Sequence, residues 1–160
     1  MKKQDLLKQE IKHIDITTFD STTIISAMRS MSFSSRDTAT AADIFMKMIK
    51  EKDCLNVLVL AGSTSAGGCM KIYADMIKSK MIDVVVSTGA SIVDMDFFEG
   101  LGFKHYVGRQ DIDDNDLRDM MIDRIYDTFI SEEELQQCDT AIKEIADSMK
   151  PGTYSSREFI

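Results

Sequence analysis

Two apolar runs, each followed at once by a loop of glycines and hydroxyls, constrain this 160-residue chain more than anything else in it. The first runs Asn56-VLVLAGSTSAGG to Gly68 and the second Ile82-DVVVSTGAS to Ser91. Neither Val57-Leu58-Val59-Leu60 nor Val84-Val85-Val86 shows polar alternation, which predicts strands buried on both faces of a parallel sheet. Each pattern then reads as strand, tight loop, helix, so the two together form a right-handed β-loop-α-β crossover. Loops at the carboxyl ends of parallel strands are where such sheets bind ligands. Neighbouring loops part there, and helix N-termini aim free N–H groups into the gap.

The length predicts one domain, and 44% apolar residues are enough for one core. A net charge of −8 argues against a general nucleic-acid or anionic-membrane surface, because phosphate contacts come from Lys and Arg. It would suit a cationic small molecule or a basic partner, although the plainer reading is the ordinary acidity of a soluble protein. Cys54, Cys69 and Cys138 fit neither a zinc spacing nor a disulfide framework and read as buried thiols in a reducing compartment. The amino terminus is charged, with no apolar h-region, and no run reaches membrane length, so a soluble, cytoplasmic protein is expected. His13 and His105 stand apart from each other and from any nucleophile motif. Both read as structural histidines, with no metal.

Residues 1–31 read as an N-terminal arm with a short helix from Thr22, capped by Asp20 or Ser21. Residues 32–160 form the main body. There Ala41, Ile44, Phe45, Met48 and Ile49 share one helical face and are expected in the core. The helix after the first loop would bury Cys69, Ile72, Tyr73, Met76 and Ile77. Val93-DMDFFE predicts a short helix ended by Gly100 and Gly102, and Lys104-HYVG a third strand. Leu117, Met120, Met121, Ile125 and Phe129 predict a further helix. Ser131 and Glu134 stand in capping-box register before the stripe Leu135, Cys138, Ile142, Ile145 and Met149, which Pro151 and Gly152 terminate. Ser155 and Glu158 repeat the helix-start pattern, but only Phe159 and Ile160 follow, too little to recover a nucleation cost. The expectation is a portion of something longer, completed by a partner segment.

The first loop offers the Ser63, Thr64 and Ser65 hydroxyls and the N–H groups of Gly62, Gly67 and Gly68, in a spacing that is neither a Walker loop nor G-x-G-x-x-G. Each loop alone is as consistent with packing as with binding. Two on adjacent parallel strands point toward a dinucleotide or similar ligand. Asp94 and Asp96, just beyond the second loop, suit a ribose hydroxyl or an ammonium group, or are simply carboxylates near a helix N-terminus.

Five ordered blocks, Phe33-SSRDTATAADIF, Leu60-AGSTSAGG, Met81-IDVVVSTGAS, Phe97-FEGLGFKHYVG and Asp123-RIYDTFISEEEL, resemble the N-terminal half of the deoxyhypusine synthase family. The likeness is greatest to its bacterial and archaeal deoxyhypusine synthase-like branch and covers about Ser32 to Ile160. It implies an α/β fold, a Rossmann-like parallel sheet flanked by helices, incomplete without a C-terminal half. It also implies an NAD-dependent transferase that oxidises spermidine and passes an aminobutyl group, through an imine on an enzyme lysine, to a lysine of a translation factor or to putrescine. By the same resemblance, Gly62, Ser63, Thr64, Ser65 and Ala66 line NAD, Thr88, Gly89 and Ala90 form its second wall, and Asp94 holds the family's acidic position. The imine-forming lysine belongs to the C-terminal half, so this chain alone would be inactive and no catalytic residue is assigned in it. Gly62 and Ala66 stand where the eukaryotic enzyme has serines, so single hydroxyl contacts are not carried over. Members are tetramers with shared sites, which implies as partner the complementary half or a paralogous subunit. A non-catalytic regulatory or interface subunit of a full-length paralogue is the alternative. A sirtuin-like or thiamine-diphosphate-type domain fits less well, since zinc cysteines and a matching catalytic histidine are missing.

Overall fold

A computed structural model describes residues 2–160. In chain order its elements are α1 (Lys3–Leu6), α2 (Thr22–Met28), α3 (Phe33–Lys50), β1 (Val57–Leu60), α4 (Met70–Lys78), β2 (Val84–Ser87) and α5 (Gly89–Ser91). There follow α6 (Phe98–Gly100), β3 (Tyr106–Val107), α7 (Asp114–Asp119), β4 (Ile122–Ile125), β5 (Thr128–Ser131), α8 (Glu132–Ser148) and α9 (Ser156–Phe159). A short 3-10 turn spans Ile16–Thr18, and wide helical turns join the first loop to α4 and α5 to α6. The α/β architecture expected from the sequence is present. β1 and β2 pair in parallel, Val57 opposite Val84 through Leu60 opposite Ser87. Among the described residues no helix is long and apolar enough to cross a membrane.

The predicted third strand does not join that pair. β3 belongs to a separate antiparallel sheet ordered β3-β5-β4, in which Tyr106 faces Phe129 and Ile122 faces Ser131. The helix expected from Leu117 to Phe129 is likewise replaced: α7 ends at Asp119 and a hairpin follows, turning at Tyr126-Asp127. β5 is central and buried along its whole length. Its alternating side chains serve two cores. Phe129 packs with Leu6, Ile112, Leu117 and Ile122, while Ile130 packs with Ala66, Met95, Phe98 and Cys138.

The parallel pair is the opposite case. Val57, Val59, Val84, Val85 and Val86 are exposed, Val59 to 69%, where burial on both faces was expected. The physical reason is local: among the described residues no third strand joins the pair, and α3 and α4 leave a hollow of about 290 Å³ against it, lined by Phe45, Met48, Val57, Leu58 and Met76. The predicted apolar faces of those helices are correspondingly incomplete. Ile44 and Ile77 are exposed, Ala41 too, and Phe45, Met48, Ile72 and Tyr73 only half-buried. Of the cysteines, Cys138 alone is buried; Cys54 and Cys69 are half-exposed.

Helix starts follow the sequence with one exception. Ser155 and Glu158 form the expected capping box. Ser131 does occupy the N-cap of α8, but its side chain makes no cap bond, and Glu134 is half-buried with Oε2 unpartnered instead of reaching back. Burial pushes the Glu134 carboxyl above its ordinary value. The stripe on α8 is confirmed at its first turns, where Leu135 and Cys138 enter the second core, and emerges into solvent by Ile145.

Candidate functional site

The two glycine-and-hydroxyl loops leave the carboxyl ends of paired strands, so they start side by side. A hydrogen bond holds them there: Ser91 Oγ, fully buried, donates to the carbonyl oxygen of Gly62. The first loop needs its glycines. Gly62 and Gly68 take φ of +63° and +93°, in the region that L side chains avoid. A Cβ at Gly68 would also come within 2.9 Å of the carbonyl oxygen of Lys12. Gly67 and Gly89, by contrast, have open space where a side chain would be.

Around this junction the expected site residues separate into three groups. Gly62, Thr64, Thr88 and Gly89 are exposed at the surface, with Ser63 and Ala90 half-buried beside them. Tyr73 of α4 donates its hydroxyl to Thr64 Oγ1 at 2.8 Å. Ser65 and Ala66 turn inward, and Ala66 is part of the second core. Asp94 lies on the side of α8, where burial, and then the charge of Asp139, push its carboxyl above the ordinary value.

Beneath the loops lies a polar cluster that the sequence did not reveal. His13 and His105, read as isolated, are bridged by one carboxylate. His13 Nε2 stands 2.5 Å from Glu99 Oε2, and His105 Nδ1 stands 2.5 Å from Glu99 Oε1. His105 is enclosed, its other ring nitrogen 3.1 Å from Met95 Sδ and its ring 5.1 Å from that of Phe98. Burial alone would push Glu99 up, but the hydrogen bonds from His105 and His13 outweigh it and hold the carboxyl below its ordinary value. Burial pushes neighbouring Asp96 up, against the pull of the Ser65 hydroxyl and the two imidazoles. Even so, Ser65 Oγ, Asp96 Oδ1 and His13 Nδ1 are buried without a partner at hydrogen-bond geometry. No sequence pattern joins these residues: His13 and Glu99 are 86 positions apart.

A separate hollow of about 770 Å³ lies between α7, β4 and the start of α8, lined by Asp114, Arg118, Asp123, Arg124 and Glu132 among others. No residue of the two glycine-and-hydroxyl loops lines it. There Asp123 is pushed up to about 6, first by its hydrogen bond with Glu132 and then by burial. Among the described residues no group of three His, Cys, Asp or Glu side chains is arranged to hold a metal ion.

An α/β chain with two glycine-bearing loops tied together at the carboxyl edge of parallel strands is of the class whose ligands bind at that edge. Comparison with known proteins gives the family. The deoxyhypusine synthase family profile matches residues 23–160. A deoxyhypusine synthase-like protein of Caulobacter vibrioides is 63% identical over 99% of this chain and 43% of its own length. One from Coxiella burnetii is 60% identical over 99% of this chain and 45% of its own length. A probable deoxyhypusine synthase 2 of Methanosarcina acetivorans is 36% identical over 92% of this chain and 42% of its own. The chain belongs to the deoxyhypusine synthase family. It spans less than half the length of these relatives.

Proposed function

We propose that the chain is the N-terminal portion of an NAD-dependent spermidine aminobutyltransferase that passes the aminobutyl group to a protein lysine or to putrescine. Family membership supports the transferase class. The observation that carries the cofactor reading is the bond from Ser91 to Gly62, which sets the two loops against one another at the strand ends.

The residues present fit a dinucleotide. Gly67 and Gly89 leave room for close approach, and α4 opens its N-terminus behind the first loop. In this reading Gly62, Ser63, Thr64, Ser65 and Ala66 hold one side of NAD, Ala66 through its backbone. Thr88, Gly89 and Ala90 form the other wall, and Asp94 supplies the acidic position. NAD, when bound, supplies a hydride acceptor for oxidation of the amine. The chain's own part is to hold and orient it, while the lysine that forms the imine lies in the remaining half of the enzyme. Residues 32–160 make up this binding portion, and residues 1–31 the arm that packs on it. The assembled enzyme is a cytoplasmic tetramer.

The exposed valines of β1 and β2 favour completion by more polypeptide, since parallel strands of this composition are normally covered on both faces. That polypeptide is the complementary half or, in the second reading, a full-length paralogue for which this chain is a regulatory subunit. Transfer from labelled spermidine, assayed with each, separates the two. Turnover that requires the complementary half supports the split transferase. Stimulation of a complete paralogue alone supports the subunit, and no binding of NAD by any combination overturns the cofactor assignment.

A further inference from the structure

The segment 9–14 of the N-terminal arm behaves as a strap with three backbone anchors. Val107 donates its N–H to Gln9 O at 2.7 Å, Ile11 donates to His105 O at 2.8 Å, and Ile14 donates to Gly68 O at 3.2 Å. The first two fix the strap to β3 and its approach, and the third fixes it to the end of the first loop. Gly68 is where the fit is tightest, since the Lys12 carbonyl occupies the place a side chain would need. One side chain of the strap, His13, reaches under the loop to Glu99. Glu99 belongs to α6, which ends the helical run begun at the second loop, and it is held from the other side by His105.

We propose that His13 is a positioning residue of the loop site: its bond to Glu99 pins the strap whose backbone holds Gly68, so the first loop keeps its shape only while the arm is latched. The arm is thereby part of the site and more than an appendage packed on its outside. The strap, the loop and the helical run adjoin at this point, where Asp96 feels both the Ser65 hydroxyl and the His13 imidazole. Ser65 Oγ, Asp96 Oδ1 and His13 Nδ1 are all closed off from solvent where the strap, the loop and the helical run meet. The functional consequence rests on the dinucleotide reading of the loops; the mechanical coupling does not.

The test compares His13→Ala, which removes the donor, with His13→Gln, whose side-chain amide can reach Glu99 as the imidazole Nε2 does. Amide hydrogen exchange on the intact chain is read at Gly67 and Cys69, which bond within the loop to Ser63 O and Thr64 O. In His13→Ala their exchange should rise about tenfold, with β5 amides unchanged and His13→Gln within about twofold of the native protein. The NAD dissociation constant should weaken by about fivefold in His13→Ala and recover in His13→Gln. The proposal is overturned if only the strap amides speed up, if all amides speed up equally, or if His13→Gln behaves like His13→Ala. Should NAD bind neither to the chain nor to its combination with the complementary half or a full-length paralogue, the dinucleotide reading fails, and the exchange pattern decides the latch on its own.

Discussion

The two sheets of this protein are made from similar residues and finished to different degrees. β5 contributes Thr128-Phe-Ile-Ser131 and buries all four residues, because β3 and β4 flank it and two clusters close over its faces. β1 contributes Val57-Leu-Val-Leu60, more apolar still, and alternates exposed with half-buried residues; β2 exposes its three valines. Apolar composition therefore does not decide burial here. What decides it is whether other elements of the described chain close over the strand, as Leu6, Ala66 and Met95 help to do for the antiparallel sheet.

Paired substitutions put the largest difference on that contrast. Phe129→Ala removes a ring that is 1% exposed and should cost about 3–5 kcal/mol, enough to threaten folding. Val59→Ser, at 69% exposure, should change the stability of this chain by no more than about 0.5 kcal/mol. Denaturant titration of both variants checks the comparison. A Val59→Ser loss comparable with that of Phe129→Ala would show that the parallel pair is already covered, by self-association, and would erase the distinction between the sheets.

The same contrast explains what could be read in the sequence. Both parallel strands, their loops, the long helices α3 and α8 and the cap at Ser155 were legible, because apolar runs, helical spacing and capping pairs are local signals. The hairpin was not. Leu117, Met120, Met121, Ile125 and Phe129 keep near-helical spacing, and the turn at Tyr126-Asp127 has no glycine, asparagine or proline to announce it. The exposure of Val59 was illegible for another reason: a strand's composition does not say which elements of the fold close over it. The Glu99 clamp ties the arm at His13 to the distant stretch that holds Glu99 and His105, so only the fold could bring it to view. At Ser131 the register of a capping box was present, but burial of Glu134 took its side chain elsewhere.

If the antiparallel sheet is the self-sufficient region, its packing must also offset a strain in its own turn. Tyr126 has φ of +56° and an exposed side chain, so it occupies a left-handed position and contributes little burial in return. Tyr126→Gly should relieve that conformation and raise stability by about 1 kcal/mol. A rise in the denaturation midpoint, with unchanged slope, is the expected result. A fall would mean that the tyrosine ring supports the hairpin through contacts worth more than the strain, and the sheet would then depend on its surface as well as its cores.

The smallest effect tests the joint between β4 and α8. Asp123 on β4 and Glu132 at the start of α8 share a proton, with Asp123 raised to about 6 by that hydrogen bond and Glu132 lowered by it. Below about pH 4 the Asp123 proton is bound whether the chain is folded or not, so its contribution to stability is complete. As pH rises from about 4 to about 6, the unfolded chain releases the proton before the folded one does, and that contribution is lost. Glu132 has the opposite sign, its stabilisation being present above its ordinary value and lost as pH falls, so the two titrate as one pair. Asp123→Asn keeps a donor for Glu132 and removes the second charge. Its Tm should therefore exceed that of the native protein by about 1–2 °C at pH 8, a modest gain because the pair is largely solvated, and match it at pH 4. A difference of the same size at both pH values would place the effect in packing, and the flaw in the otherwise finished sheet would be steric instead of electrostatic.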